Sequence, residues 1–233
     1  MKQVTSQVVT IEALTEVVYR VVLALPERLN FAPGQYLQVV MGERDKRPFS
    51  IASTATELPQ LELHIGAHPD NAYATEVLER MREHGQIEVE LPLGSASLIE
   101  PVTRPLILIA GGTGFSYTWS ILQAYLAQAE QPQPVTLYWG AKQLSDLYYH
   151  ERLQKLAERY AQFSYRPVLE YPDSDWSGAT GLVHMAVLAE QAELAHADIY
   201  VAGRFEMVRV IRDAFVAQGL PIAQLHGDAL AFI

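Results

Sequence analysis

The amino-acid sequence predicts two domains of different class. An antiparallel six-stranded β-barrel with one helix is expected over residues 1–100, and an α/β domain built on a parallel sheet over 101–233. Three observations carry this prediction. The first hundred residues hold short β-branched runs separated by Pro, Gly, Asp and Asn. The remainder alternates strand-length apolar runs with stretches of helical period. The rhythm changes at "PVTRP", residues 101–105. The 233 residues, 49% of them hydrophobic, suffice for one large domain or two cores of roughly 100 residues each.

The barrel strands are read in order from "QVTSQVVTIEAL", "VVYRVVLAL", "GQYLQVVM", "RPFSIAS", "LELHIGA" and "QIEVELPLG". A turn at "TE" separates the first two. In the sixth, Ile87, Val89 and Leu91 alternate with Glu88 and Glu90, which predicts one wet face. "NAYATEVLERMREH" is the one helix, with Ala74, Val77, Leu78 and Met81 at helical spacing and Gly85 as its stop. Six strands closing on themselves leave no exposed edge. In the second half, strand "LILIA" leads to a helix over 116–129, "PVTLYWGA" to "YYHERLQKLAERY", "FSYRPVLEY" through a polar loop to "LVHMAVLAEQ", and "ADIYVAG" to "EMVRVIRDAFVAQG". In "YYHERLQKLAERY" the apolar stripe is Leu153, Leu156 and Tyr160. Strand–helix alternation is the signature of a covered parallel sheet, and ligands of such sheets sit beyond the carboxyl ends of the strands.

Composition excludes several function classes. With no cysteine, disulfides, zinc–thiolate sites and cysteine-bound iron–sulfur clusters cannot form within the chain. The N-terminal stretch has no signal-peptide pattern and no run is long enough to span a membrane, so a cytoplasmic location is expected. The formal net charge of −10, without a basic block, disfavours nucleic acid as a partner. Metal chemistry has little support, because the seven histidines are scattered and "HERLQ" lacks the second histidine of a zinc-protease helix. The hydrolase pattern G-x-S-x-G is absent.

Four stretches carry candidate chemistry. "RPLILIAGGTGFS" places Gly111, Gly112, Thr113, Gly114 and Phe115 between a strand and a helix. Glycine there allows a sharp turn and close backbone approach, and the first helical amides can receive a phosphate. A tight structural turn explains the same glycines. The order G-G-x-G is neither a dinucleotide fingerprint nor a Walker loop. "YWGA" (Tyr138, Trp139, Gly140, Ala141) and "VAGRFEM" (with Gly203, Arg204, Phe205 and Met207) end two further parallel strands in glycine. Together the three ends could contact parts of one dinucleotide, with Arg204 as a fork of donors or else a partner in a surface ion pair. In "RPFS", Arg47 and Ser50 bracket Pro48 and Phe49, a combination suited to a flat, polar-edged heterocycle. Pro48 is a point where strand alternation can break, which would let Arg47 and Ser50 face the same way. An ordinary strand with a buried Phe and a surface Arg fits the same residues.

Taken in order, "RPFS", "HIGAHPDNAY", "GGTGFS", "YWG", "AGRFEM" and "GDALAFI" resemble the ferredoxin–NADP⁺ reductase superfamily over essentially the whole chain. Within it the resemblance is to the NAD(P)H:flavin oxidoreductases. These are also called flavin or FMN reductases, and include those associated with bacterial bioluminescence. The resemblance implies a ferredoxin–NADP⁺ reductase-like fold, with a flavin-binding barrel over 1–100 and a Rossmann-like NAD(P)-binding domain over 101–233. It places Ser50 beside flavin N5 as the catalytic residue, with Arg47, Pro48 and Phe49 completing the flavin motif. Arg47 would secure the ribityl or phosphate region. His64, Ile65, Gly66 and Ala67 form a second flavin-facing stretch, and Tyr36 lies near the ring. Phe49 stands where relatives often carry Tyr, so one hydroxyl contact is lost. Gly111 to Phe115, Tyr138 to Gly140, and Gly203, Arg204, Phe205 and Met207 become the pyridine-nucleotide contacts. Ala202 occupies the place of the cysteine that approaches the nicotinamide in many relatives, so no catalytic thiol is available.

The implied activity is hydride transfer from NADH or NADPH to riboflavin, FMN or FAD. The ring is expected at the domain junction, and reduced flavin is released to an oxygenase or luciferase. No adenine-binding insertion is recognisable, which favours flavin as a loosely held substrate. A reductase that keeps its flavin and passes electrons directly to a partner protein is the alternative, and a nucleotide-sensing module is the non-enzymatic one. Lys142 and Asp146, near the second strand end, leave the choice between NADH and NADPH open.

Overall fold

In the computed structural model, which describes residues 1–128, 130 and 133–233, the period-two patterning of the first hundred residues becomes six strands. They are β1 (Lys2–Ala13), β2 (Val18–Ala24), β3 (Tyr36–Gly42), β4 (Asp45–Ser50), β5 (Gln60–Gly66) and β6 (Gln86–Leu93), in sheet order β4-β3-β6-β1-β2-β5. All pairings are antiparallel. A bridge between Ile51, just beyond β4, and Leu63 of β5 joins the two outer strands, as a barrel requires. The "TE" turn is held by the Thr15 hydroxyl, which accepts the Val17 and Val18 amides at 3.2 and 3.0 Å. Val21, Leu23, Leu37, Val39, Leu63, Ile65 and Val89 fill the interior.

Helix α1 (Ala72–His84) buries Ala74, Val77, Leu78 and Met81 in that core. It stops at Gly85, whose φ of 63° is left-handed and whose amide bonds the Met81 carbonyl at 3.0 Å. Glu90 departs from the expected wet face of β6. It is buried because the Lys46 ammonium reaches it at 2.6 Å, while Glu88 stays exposed.

The backbone divides into two units, Met1–Leu98 with Trp119–Ala124, and Ile99–Thr118 with Tyr125–Ile233. Within the first, the Ser120 hydroxyl and the Gln123 amide each donate at 2.9 Å, to the Ser53 and Ala52 carbonyls. The second contains β7 (Leu106–Gly111), β8 (Val135–Ala141), β9 (Phe163–Leu169), β10 (Ala179–Thr180), β11 (Asp198–Ala202) and β12 (Leu225–His226). Their order is β10-β9-β8-β7-β11-β12 and every pairing is parallel. Its helices are α2 (Phe115–Leu126), α3 (His150–Arg159), α4 (Val183–Glu190) and α5 (Phe205–Ala217). The expected helix over 116–129 therefore ends at Leu126, and Ala129 lies outside the described residues. In α3 only Leu153 of the expected stripe is fully buried, and Tyr160 is the C-cap.

Residues Leu106–Ala110 of β7 are buried, with β8 and β11 flanking them on either side. Ile107 and Ile109 meet Ala186 and Val187 of α4 and Val208, Ile211 and Phe215 of α5. From β7 the strand order runs one way through β8 and β9, and the other way to β11. That reversal is where open parallel sheets place their ligands. No helix among the described residues is long and apolar enough to cross a membrane.

Candidate active site

In the barrel unit, register brings the predicted stretches together. Tyr36 of β3 lies directly opposite Ser50 of β4, and Leu37 opposite Phe49. The Ile51–Leu63 bridge then sets Ser50 beside the His64–Ala67 stretch. The β3–β4 ladder runs unbroken from Tyr36–Ser50 to Val40–Lys46, so Pro48 does not disturb alternation. Arg47 and Ser50 therefore face apart, and the break in alternation that Pro48 allowed does not occur. Arg47 and Phe49 pair with the buried Val39 and Leu37, whereas Pro48 and Ser50 pair with the half-buried Gln38 and Tyr36. Pro48 is tolerated because β4 is an outer strand.

Arg47 is neither a surface arginine nor an idle one. Its side chain is 9% exposed. Nε and Nη2 grip Asp45 at 2.8 and 2.6 Å, Nη2 also bonds Glu76 at 2.7 Å, and Nη1 donates to the Tyr73 carbonyl at 2.6 Å. The guanidinium stands 4.8 Å over the Tyr73 ring. The Arg47 hydrogen bond holds the Asp45 carboxyl below its ordinary range, and the Asp45 bond holds Arg47 above its own. Asp45, Tyr73 and Glu76 were not anticipated. The signal was present in Asp45 and Arg47, two apart on one strand and so on one face.

In the second predicted stretch, Ile65 is core and Ala67 is buried, its amide bonded to the Val17 carbonyl at 2.7 Å. The His64 ring is buried and lies 2.8 Å from Glu62, which Arg20 Nε also holds at 2.6 Å. Burial works to raise the Glu62 carboxyl, but the hydrogen bond and charge of His64 and then Arg20 outweigh it, and its pKa is lowered. His64 therefore enters a buried polar network, while the backbone of His64–Ala67 borders the β4 end.

In the second unit, the three glycine-bearing strand ends are neighbours. Gly111 of β7 is in register with Gly140 of β8, and Ala110 with Ala202 of β11. The packing at these glycines is close. A side chain on Gly111 would collide with the Met207 sulfur, and one on Gly203 would come within 2.8 Å of the Met207 methyl. A Cβ on Gly114 would stand 2.5 Å from the Ala202 carbonyl carbon and 2.8 Å from the Gly203 nitrogen. Gly112 has φ of +52° and open space around it. Gly114 is thus required by protein packing, Gly112 by backbone conformation.

The aromatic residues expected at the nucleotide are enclosed. Phe115 and Trp139 stack at 3.9 Å with 10° between their planes, and Tyr148 and Tyr149 close over Phe115 edge-on at 5.6 and 5.7 Å. Phe115, Tyr138 and Trp139 are each 0% exposed. Their side chains therefore present no surface at these strand ends. The Trp139 indole N–H donates to the Gly112 carbonyl at 3.0 Å and fixes the turn from below. Tyr138 points to the opposite face, where its hydroxyl donates to Glu190 at 2.9 Å and accepts from Gln191 at 2.8 Å. Burial is the main cause that pushes its pKa up to about 12.

Arg204 is exposed at the start of α5 and joins no ion pair among the described residues, unlike the surface-pair alternative. Phe205 is exposed beside Phe232, with ring centres 6.0 Å apart. Thr113 and Met207 are half-buried. Around these strand ends, Gly112, Arg204 and Phe205 are exposed and Gly111, Thr113, Gly114, Gly140 and Gly203 half-buried.

Comparison with known proteins decides the family. Residues 5–98 match the oxidoreductase FAD-binding domain and residues 108–213 the oxidoreductase NAD-binding domain. An NAD(P)H-flavin reductase of Vibrio harveyi is 44% identical, over 97% of this chain and 98% of that protein. The chain belongs to the NAD(P)H-flavin reductase family. A second member, the NAD(P)H-flavin reductase of Aliivibrio fischeri, is 43% identical over 99% of both chains. Beyond the family, the fold superimposes with a TM-score of 0.84 on the ferredoxin reductase of carbazole 1,9a-dioxygenase. That protein is 25% identical, and the alignment covers 97% of this chain and 69% of that one. The barrel and parallel sheet are therefore ferredoxin reductase-like.

Proposed function

We propose that this protein transfers hydride from NADH or NADPH to a free flavin and releases the reduced flavin. The observation that carries the reading is the 44% identity to a named NAD(P)H-flavin reductase along nearly the whole of both chains. When bound, the two ligands supply the chemistry, a hydride leaving nicotinamide C4 for flavin N5. The protein's own residues supply position. Ser50 offers its hydroxyl to the reacting edge of the flavin ring, with Tyr36 across the ladder and the His64–Ala67 backbone alongside. The Gly111–Gly114 turn, Gly140 and Gly203 leave room for a dinucleotide to approach the strand ends, and Arg204 provides charge for a phosphate or carboxamide.

With Ala202 in place of a thiol, alignment carries the rate. Both nicotinamide donors are expected to serve. Lys142 is exposed there, and the Asp146 carboxylate accepts the Gln143 amide at 3.2 Å, which occupies one of its oxygens. Reduced flavin would then serve an oxygenase or luciferase in the cytoplasm. The likeness to a dioxygenase ferredoxin reductase supports a second reading, in which flavin stays bound and electrons pass directly to a partner.

Flavin-stripped protein mixed anaerobically with NADH or NADPH and riboflavin, FMN or FAD tests the proposal. Flavin absorbance should bleach only when donor and enzyme are both present. Protein that purifies colourless supports the first reading, and persistent yellow colour the second. Failure to reduce any free flavin would sink the first.

A further inference from the structure

A thioether sits between the ends of β7 and β11. Ala110 and Ala202 are in register, so Gly111 and Gly203 are the next residues of two neighbouring strands, at the reversal of strand order. Met207, in the first turn of α5, sets its Sδ against both glycines. A Cβ on Gly111 would collide with that sulfur, and one on Gly203 would stand 3.0 Å from it and 2.8 Å from the Cε methyl. Met207 is half-buried, so solvent touches it. Met81, by contrast, is sealed in the barrel core, and Met185 stands in open solvent. Oxidation of methionine to its sulfoxide turns a flexible apolar side chain into a polar one. Hydrogen peroxide suffices as oxidant. A sulfur lone pair takes one oxygen, the O–O bond breaks, and the other oxygen leaves as water. The same peroxide forms when dioxygen takes two electrons and two protons from a free reduced flavin.

We propose that Met207 is an oxidation-sensitive modification site, whose sulfoxide weakens binding of the nicotinamide donor at the strand ends. The inference rests on the donor site proposed above. The slot has no room for an oxygen on its glycine sides, since not even a Cβ fits there. The sulfoxide must turn its oxygen outward, toward the approaching dinucleotide, or leave the slot and withdraw its packing from both strand ends. Both effects fall on the donor. The residues proposed for flavin stand on the barrel strands.

The test treats full-length protein with hydrogen peroxide, removes the excess with catalase, and measures Met207 sulfoxide by peptide mass spectrometry. Binding of NADH and NADPH is then titrated by fluorescence without flavin. The donor Kd should rise about threefold to thirtyfold as Met207 is oxidised. KM for flavin should stay put, and a methionine sulfoxide reductase should restore donor binding. NAD⁺ or NADP⁺ present during treatment should slow oxidation of Met207. Each variant is compared with its own untreated form. Met207→Leu, close in volume, should lose the peroxide sensitivity, and Met185→Leu should keep it. Oxidised Met207 with an unmoved donor Kd would overturn the inference. So would a Met207 that stays reduced while Met185 oxidises, or equal sensitivity in Met207→Leu. Untreated protein that binds the donor but reduces no free flavin overturns the proposed function alone. Untreated protein that binds neither donor overturns both.

Discussion

Ser50 faces Tyr36 across an unbroken ladder, on the surface opposite to the core-facing Phe49. A hydroxyl so held can orient the flavin edge and stabilise developing polarity without carrying permanent charge. Ser50→Ala should keep the fold and NAD(P)H binding and slow flavin reduction by about tenfold to a hundredfold, or ~1.4–2.7 kcal/mol. Stopped-flow rates at saturating donor check this, and a normal rate removes Ser50 from the role. Gly114 was legible as a residue that must be glycine, but not why. The reason is the Ala202 carbonyl of a strand far along the chain, which sequence spacing cannot reveal. Gly114→Ala should therefore lower folding stability by about 1–3 kcal/mol as an overpacking defect. It should also raise KM for NAD(P)H more than KM for flavin. Urea unfolding and donor titration measure the two effects, and an unchanged midpoint with unchanged KM would refute the placement.

At the scale of elements, period and punctuation were enough for β1 to β6, α1 and the strand–helix alternation. β10 and β12 were not legible, since two residues carry no periodicity and each exists only by pairing with a longer neighbour. Pro48 misled because its effect depends on whether its strand is central or outer, a tertiary fact. At "YWG", Trp139 is wholly enclosed and holds the neighbouring Gly112 turn through its one N–H. Trp139→Phe keeps a ring to stack on Phe115 and removes that donor. The Gly112 carbonyl then loses a half-buried hydrogen bond, worth about 0.5–1.5 kcal/mol. If the turn must hold its shape to receive the dinucleotide, KM for NAD(P)H should rise about twofold to tenfold by that energy while KM for flavin stays put. Parallel changes in both constants would mean that Trp139 serves general stability only.

For the whole molecule, the two-domain plan was legible because two rhythms meet at "PVTRP", whereas the electrostatics of the interior were not. The scattered histidines gave no pattern in sequence. Three of them, His150, His184 and His226, are packed in the second unit, where burial lowers the pKa of each from 6.5. His226 is the clearest case. Its ring stacks on Tyr200 at 4.8 Å, its Nε2 has no hydrogen-bond partner among the described residues, and Asp198 at 3.9 Å only partly offsets the cost of burial. A histidine whose folded pKa is depressed binds fewer protons folded than unfolded once pH drops below 6.5. Its stabilising contribution is thus complete above 6.5 and is lost as pH falls through the lower folded value. Glu62, also depressed, adds a loss of the same sign below 4.5. The thermal midpoint should accordingly fall between about pH 7.5 and pH 5.5, well before carboxylates titrate. In His226→Gln that fall should be smaller, because glutamine does not titrate. Melting curves of wild type and variant across this range decide the matter. Equal pH dependence in the two would show that the buried imidazole of His226 does not set the acid limb of stability.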